Sequence, residues 1–226
     1  MSEKIISVAI DGPSGAGNST VAKAIAQEFG FIYVDTGAIY RTLGLAAQKA
    51  KVDSKDAEGI IALLPDIHID IAYDASGVQR MILNGEDVSA EIRTPLSSIY
   101  ASDVSAIPEV RAFLMDMQRD MAKKHSVIMD GRDIGTVVLP DADLKIFLTA
   151  RAEERAKRRY LELKEKGMET PYDEVLRDIQ YRDKQDSSRP TAPLKPAEDS
   201  VYLDNSDLSF IESVEAVAKL VRAKQN

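Results

Sequence analysis

The stretch Ala9–Gln27, AIDGPSGAGNSTVAKAIAQ, decides the fold, because a hydrophobic strand runs into a glycine-rich turn and a helix follows. The pattern G-x-x-x-x-G-K-[ST], whose backbone N–H groups cradle phosphates, is filled here by Gly12, Gly17 and Ser19. Asn18 stands where that pattern has lysine. The stretch therefore predicts a phosphate-binding loop without its usual cation.

This loop has the features that a nucleotide and its metal ion require. Its glycines allow backbone angles denied to other residues and bring successive N–H groups toward one phosphate. The helix that starts near Ser19 adds its positive end, and a hydroxyl of Ser19 or Thr20 can reach Mg²⁺. A glycine-rich turn with no ligand is the alternative, against which strand, spacing and helix all argue. The predicted nucleotide-binding residues are Gly12, Pro13, Ser14, Gly15, Ala16, Gly17, Asn18, Ser19 and Thr20.

Composition indicates an ordinary globular chain and excludes several kinds of function. Of its 226 residues, 44% are hydrophobic and 29% are charged, which suits one α/β unit with inserts. The formal net charge of −8 argues against a broad nucleic-acid-binding surface, so an anionic ligand must meet a local basic site. The sequence has no cysteine, which excludes thiolate metal sites and thiol nucleophiles. Its two histidines argue against histidine-based catalysis.

The expected location of the protein follows from its apolar segments. No apolar run in the sequence is long enough to cross a membrane. The first apolar stretch is too short for a signal peptide and is soon interrupted by Asp11. We therefore expect a cytoplasmic monomer that binds small molecules, with neither a membrane nor a nucleic acid as partner.

Apolar runs of strand length alternate along the chain with helical stretches. The sequence predicts strands over Ile5–Ile10, Phe31–Val34, Ser126–Met129, Leu144–Leu148 and Val201–Leu203. It predicts helices over Ser19–Phe29, Ala38–Lys49, Glu109–Lys123, Ala152–Lys166 and Ile211–Lys224. This alternation is typical of a parallel sheet covered on both faces. Residues 65–95 depart from it, since alternating apolar positions broken by turn signals indicate a small antiparallel insert.

Polar residues follow the second predicted strand in YVDTGAIYR, Tyr33–Arg41. The candidates there are Asp35, Thr36, Tyr40 and Arg41. In a parallel α/β sheet they would lie at the carboxyl edge beside the phosphate loop, where ligands bind. A capping Asp or Thr with a packed Tyr explains this stretch alone equally well. The neighbouring motifs favour the binding site.

The motif DGRDIGT, residues 130–136, follows a third predicted strand. Asp130 ends that strand, from which a carboxylate can hold hydrated Mg²⁺ near phosphates. The guanidinium fork of Arg132 can bind a phosphate, and Asp133 can accept hydrogen bonds from a base or ribose. Taken alone, the motif is equally compatible with a polar turn that contains an internal ion pair.

Two arginine arrays lie farther along the chain. The first consists of Arg151, Arg155, Arg158 and Arg159, whose spacing places three or four guanidinium groups on one helix face. Such a face is commonly solvated and paired to nearby glutamates. Its functional interpretation is a lid over a transferring phosphoryl group, because arginines stabilise spread negative charge. If their segment is helical, the residues of the second array, Arg182, Asp186 and Arg189, share one inward-facing side.

Five motifs occur in order over nearly the whole chain: IDGPSGAGNST, DTGAIYR, NGEDVSAEIRT, DGRDIGT and YRDKQDSSR. Together they closely resemble those of the bacterial cytidylate kinase family. The resemblance implies a P-loop nucleoside monophosphate kinase fold with a five-stranded parallel sheet, helices on both faces, a small antiparallel β insert and a short helical lid. It also implies transfer of the γ-phosphoryl group of ATP to CMP or dCMP with Mg²⁺.

The resemblance assigns roles to the candidate residues by position. Thr36 and Tyr40 would lie by the cytosine and sugar, Arg41 and Arg132 at the CMP phosphate, and Arg111 and Asp133 at the nucleoside. Arg182 and Asp186 would recognise the pentose, and Arg189 the base or phosphate. The implied substrate set also includes Asp35, and the implied metal ligands are Ser19 and Asp130. The implied catalytic residues are Asn18, Arg132, Arg155, Arg158 and Arg159.

The same resemblance divides the single P-loop kinase chain, 1–226, into regions and leaves alternatives open. It implies a core of residues 1–35 and 105–226 with a lid at about 151–189, and an acceptor-binding region, 36–104, that contains the insert. Thr36 replaces a serine of many relatives and keeps the hydroxyl. Asn18 is the departure that matters, since it favours slow turnover or a nucleotide-binding protein that has lost activity. A kinase of the same fold with another acceptor is the remaining alternative.

Overall fold

Two sheets organise residues 5–225, the part of the chain that the computed structural model describes. In chain order the strands are β1 (Ser7–Asp11), β2 (Ile32–Asp35), β3 (Ile69–Tyr73), β4 (Gln79–Leu83), β5 (Glu86–Asp87), β6 (Val127–Gly131), β7 (Leu144–Thr149) and β8 (Val201–Asp204). The larger sheet is parallel, with the order β2-β6-β1-β7-β8. The predicted five-stranded parallel core is therefore confirmed.

Helices connect these strands and flank the parallel sheet. In chain order they are α1 (Asn18–Phe29), α2 (Thr36–Lys49), α3 (Ala57–Leu63), α4 (Pro95–Val104), α5 (Pro108–Lys124), α6 (Ala152–Glu165), α7 (Tyr172–Ser188) and α8 (Phe210–Gln225). Short 3₁₀ turns lie at Leu64–Asp66 and Glu91–Arg93. A π-helical turn, Ile134–Val138, begins shortly after β6. Such turns are rare and often occur at functional sites.

The parallel sheet separates two hydrophobic cores. Successive residues of β1 point to opposite faces, so Ala9 packs into one core while Val8 and Ile10 pack into the other. All three side chains are fully buried. The second core also receives the apolar faces of α1 and α8. Across the described residues, none of the helices combines the length and apolar character that a membrane span needs.

The predicted insert is confirmed as a three-stranded antiparallel sheet, β3-β4-β5. Asn84 and Gly85 turn the chain between β4 and β5 with φ of 49° and 87°, left-handed values that these residues tolerate. The side chain of Gln79 joins this sheet to the outer edge of β2. Its Oε1 accepts the N–H of Asp35 at 2.8 Å, and its Nε2 donates to the Asp35 carbonyl at 3.2 Å. The insert is thus fixed to the strand end that carries Asp35.

The sequence pattern does not predict α3 and α4. α3 covers only 7 residues, too few for a helical period to be distinct. α4 has a weak apolar pattern, since Leu96 and Ile99 are both exposed. It begins at Pro95, which is favoured in a first helical turn but also marks the end of the insert in the sequence. The short length of α3 and the weak apolar pattern of α4 therefore explain why the sequence does not predict these two helices.

Candidate active site

A cleft of about 740 Å³ opens at the carboxyl ends of β1, β2 and β6. Because these ends lie along one edge of a parallel sheet, residues distant in sequence meet there. The predicted site residues line this cleft, with the exceptions of Gly12 and Arg155. The cleft is also lined by residues that the sequence analysis did not predict as site residues, among them Lys23, Arg93, Ser102 and Ser105.

The phosphate loop has the backbone geometry that its glycines predict. Gly15 and Gly17 have φ of 78° and 96°, in the left-handed region where a side chain would be strained. A Cβ on Gly12 would lie 1.9 Å from the carbonyl oxygen of Leu148, so only glycine fits there. α1 begins directly after Gly17, and within the described chain no side chain caps its first turn. Its first N–H groups are therefore available to an anion.

Asn18 places a neutral amide where the motif has an ammonium group. The residue is 5% exposed, and neither its Oδ1 nor its Nδ2 has a hydrogen-bond partner among residues 5–225. A Cβ on Gly12 would lie 3.0 Å from both atoms, so the amide lies against the loop. A buried polar group without a partner costs about 1–3 kcal/mol. A ligand that supplied such a partner would recover part of that cost.

Ser19 and Asp130 meet beside the loop, as their prediction as metal ligands requires. Ser19 Oγ donates to Asp130 Oδ2 at 2.6 Å, and the Tyr33 hydroxyl donates to Asp130 Oδ1 at 2.6 Å. Burial and the nearby charge of Asp35 raise the pKa of Asp130 to about 6. A hydroxyl and a carboxylate are oxygen ligands that fit Mg²⁺, and a bound cation would favour the ionised carboxylate.

Asp35, at the end of β2, forms ion pairs with two arginines. It caps α2 and contacts Arg41 Nη2 at 2.9 Å and Arg93 Nη1 at 3.4 Å. Burial opposes its ionisation, but Arg41 and Arg93, together with the Ala38 N–H and Lys23, hold the pKa of Asp35 below its usual value. The Thr36 hydroxyl donates to the carbonyl of Asp130 at 2.7 Å, which joins the ends of β2 and β6.

A buried cluster surrounds Asp133 in the same cleft. Arg111 Nη2 donates to Asp133 Oδ2, and Arg189 Nη2 lies 3.5 Å from Asp133 Oδ1. The Arg111 guanidinium lies 5.6 Å from the centroid of the Tyr40 ring, and Arg189 Nη1 donates to Ser105 Oγ at 2.8 Å. This cluster offers donors, an acceptor and an aromatic face to one ligand.

Asp186 pairs with an arginine from outside its own array. Its ion pair is with Arg132, whose Nε donates to Asp186 Oδ2 at 2.8 Å, and Ser102 Oγ donates to Oδ1 at 3.2 Å. Arg182 Nε is buried without a hydrogen-bond partner among the described residues. Burial, with the positive charge of Arg132 nearby, lowers the pKa of Arg182 to about 10. Arg182 is therefore the more available of the two arginines for a ligand.

Only part of the first arginine array faces the cleft. Arg151 forms an exposed pair with Asp207 at 2.6 Å. Arg155 is buried, pairs with Asp183 at 2.6 Å and donates to the Ser14 carbonyl at 2.9 Å. Its contacts tie α6 and α7 to the phosphate loop. The catalytic role assigned to Arg155 by the resemblance stays a prediction.

Arg158 and Arg159 are the members of this array that line the cleft. Arg158 Nη2 donates to the Asn205 carbonyl at 2.8 Å, and Nη1 donates to Asn205 Oδ1 at 3.1 Å and to the Ala16 carbonyl at 3.3 Å. Arg159 pairs with Glu162 at 2.8 Å. Within residues 5–225, Arg158 donates to carbonyl and amide oxygens rather than to a carboxylate, which leaves its charge available to phosphate.

We expect Arg158→Ala to lower kcat by more than about 10-fold and to change CMP affinity by less than about 3-fold. The reason is that Arg158 lies at the phosphate loop, where charge develops during phosphoryl transfer. Steady-state kinetics measures kcat, and calorimetry measures the affinity for CMP. Arg151→Ala, at the residue that precedes the same helix, is the matched control, because Arg151 pairs with Asp207 in solvent. A lower melting temperature with an unchanged kcat would contradict this role and show that Arg158 only stabilises the fold.

The residues that sequence reasoning missed have identifiable signals. Lys23 lies one helical turn after Ser19 on α1, a spacing that could have placed it at the cleft. Arg93 lies within the motif NGEDVSAEIRT. Ser102 is in α4 and Ser105 is its C-cap, and the sequence pattern does not predict that helix.

The fold and the cleft define a P-loop kinase of small phosphorylated molecules. A sequence profile of the family described as Cytidylate kinase matches residues 8–223. The chain is 52% identical over 217 residues to the Cytidylate kinase of Caldicellulosiruptor saccharolyticus, with 96% of each chain covered. It is 47% identical over 221 residues to that of Lactobacillus johnsonii, covering 98% of this chain and 96% of the relative. The chain belongs to the cytidylate kinase family.

A solved structure supports the fold alone. An uncharacterized protein from Eubacterium ventriosum aligns with a TM-score of 0.50 at 15% identity, covering 97% of each chain. That likeness concerns the arrangement of helices and strands. Together with the family match, it agrees with the predicted P-loop nucleoside monophosphate kinase fold, and the resemblance seen in the five motifs is confirmed.

Proposed function

We propose that this chain transfers the γ-phosphoryl group of ATP to CMP or dCMP, giving ADP and CDP or dCDP. Its membership of the cytidylate kinase family supports this activity. One observation of the structure carries it: the phosphate loop, Asp130, Arg132 and the Asp133 cluster line one cleft. A donor triphosphate and a pyrimidine monophosphate can therefore face each other there.

The chemistry needs positioning and charge rather than a protein nucleophile. Loop N–H groups would bind the phosphates of ATP, and Arg41 and Arg132 would bind the phosphate of the acceptor. Ser19 and Asp130 would hold Mg²⁺, whose charge offsets that of the phosphate oxygens. Arg158 would stabilise the charge that spreads over the transferring group.

We expect CMP to bind at least about 10-fold more tightly than AMP, since a ligand that leaves buried polar groups unpaired loses about 1–3 kcal/mol for each. The groups concerned are Arg111, Asp133, Ser102 and Asp186. Calorimetry without turnover measures both affinities. The control is Arg111→Met, which should weaken CMP binding and leave ATP binding unchanged. AMP binding as tight as that of CMP would refute the assignment of the acceptor.

The activity itself is tested by a coupled assay of ADP formation with CMP, dCMP, UMP and AMP as acceptors. We expect ADP formation with CMP and dCMP above the rate without acceptor. Turnover with AMP alone would favour another kinase of this fold. Asn18 favours a second candidate, a protein that binds nucleotides with little turnover, and CMP binding without ADP formation would support it.

We further propose that α6 and α7, within residues 151–189, act as a lid over the cleft. Support comes from their own small core of Ala156, Leu163, Val175 and Ile179, distinct from the two cores of the sheet. Such a unit can move as one body and exclude water. The acceptor-binding role of residues 36–104, monomeric state and cytoplasmic location stay predictions.

A further inference from the structure

Asp11 is a buried carboxylate that the proposed chemistry does not use. It ends β1, directly before Gly12 of the phosphate loop, and is 4% exposed. Each of its oxygens accepts one backbone N–H: Ile134 donates to Oδ1 at 2.7 Å, and Gly135 donates to Oδ2 at 2.7 Å. Burying a charged group is costly unless such bonds compensate it.

The two N–H groups belong to the start of the π-helical turn Ile134–Val138. The first N–H groups of a helical turn have no partner within it and are commonly satisfied by the side chain of the preceding residue. Here that residue is Asp133, which makes no such capping bond within the described chain. Its carboxylate is committed to Arg111 and Arg189 instead. Asp11 therefore caps the turn from another strand.

We propose that Asp11 is a positioning residue for the acceptor: by capping this turn, it leaves Asp133 directed into the cleft and fixes Arg132 and Asp133 relative to the phosphate loop. The inference rests on the proposed function, because it assigns the acceptor to Arg132 and Asp133. Asp11 acts through these two residues and needs no contact with either nucleotide.

The packing around the turn leaves little room for it to move independently of Asp11. A Cβ on Gly135 would lie 3.2 Å from the Lys145 side chain and 3.4 Å from Asp11 Oδ2. A Cβ on Gly131 would lie 2.7 Å from both Thr36 Oγ1 and Ile134 Cδ1. The N–H of Gly12 also donates to the Gly131 carbonyl at 3.3 Å. Asp11 thus holds the start of the turn, and the adjacent Gly12 holds the end of β6. Arg132 and Asp133 lie between these two points, so loosening Asp11 would shift them.

The test compares Asp11→Asn with the unchanged protein by calorimetry, titrating CMP and ATP separately. Asparagine has nearly the same shape but presents an NH₂ group to one of the two N–H donors. We expect the Kd for CMP to rise about 10- to 100-fold, as for loss of a bond to a charged group, and the Kd for ATP to change less than about 3-fold. Should Asp11→Asn fail to fold, Asp11→Glu keeps the charge, displaces the carboxylate and carries the same expectation.

Asp143→Asn is the matched control. Asp143 accepts the N–H of Ser7 at 2.9 Å, at the opposite end of β1, so it shares the chemistry of Asp11 without its location. We expect this variant to lower the melting temperature without a selective effect on CMP. Unchanged CMP binding in Asp11→Asn, or equal weakening of CMP and ATP, would overturn the role of Asp11. Failure of the unchanged protein to bind CMP would overturn the proposed function and this role with it.

Discussion

Replacing Asn18 by lysine is expected to raise kcat for CMP by at least about 10²-fold, because the loop lacks one preorganised charged donor. Phosphate can still be cradled by the loop N–H groups and the start of α1, which do not depend on this side chain. A mobile ammonium group can follow the β- and γ-phosphates during transfer. The amide of Asn18 is neutral and shorter, and it cannot do so.

The measurement is kcat for this chain and for Asn18→Lys at the same Mg²⁺ and ATP concentrations. Asn18→Gln is the matched control, since it adds length without charge and should leave kcat within about 10-fold of the unchanged protein. ATP affinity should rise only moderately in Asn18→Lys. Equal kcat in the asparagine and lysine proteins would show that the loop does not need this charge.

Arg132→Met is expected to lower kcat/KM for CMP by about 10²–10³-fold, since removing the guanidinium from a desolvated charge pair with the acceptor phosphate costs about 2–5 kcal/mol. Arg132 would bind the acceptor phosphate, and its Nε is 2.8 Å from Asp186 Oδ2. The variant removes the phosphate contact and leaves Asp186 facing the cleft without this partner. The negative charge of Asp186 would then repel the acceptor phosphate.

Arg132→Lys tests whether the positive charge of Arg132 or the shape of its guanidinium group matters more. It keeps a cation but loses the planar fork that can bind Asp186 and a phosphate together, so an intermediate loss is expected. Melting temperatures should fall little, because Arg182 also holds the pKa of Asp186 down. Kinetics of Arg132→Met within about 3-fold of the unchanged protein would exclude Arg132 from acceptor binding.

Much of the fold is predictable from sequence because its signals are local. The phosphate loop requires glycine at Gly15 and Gly17, and the five core strands are short apolar runs that helices separate. Helices that lack such local signals are not predicted. α4 buries few of its apolar side chains, and its Pro95 looks like the end of a segment.

The partners of the site residues could not be predicted in this way. The sequence places Asp186 in one array with Arg182 and Arg189, and nothing in it indicates that Arg132 reaches Asp186 from another part of the chain. The capping of a turn by Asp11 depends on the pairing of β1 with β6, which brings residues of two distant segments together. Burial likewise raises the pKa of Asp11 to about 7, an effect of the packed structure that composition does not contain.

Four arginines of the cleft already have carboxylate partners before any nucleotide arrives. Arg41, Arg111, Arg132 and Arg189 contact Asp35, Asp133 or Asp186. A nucleotide phosphate must therefore compete with these carboxylates. Binding replaces a carboxylate with a phosphate at each arginine, rather than adding a phosphate to an unpaired cation. Each returning carboxylate would in turn help to displace a bound product. The cleft can in this way recognise highly charged ligands without holding them so tightly that release becomes slow.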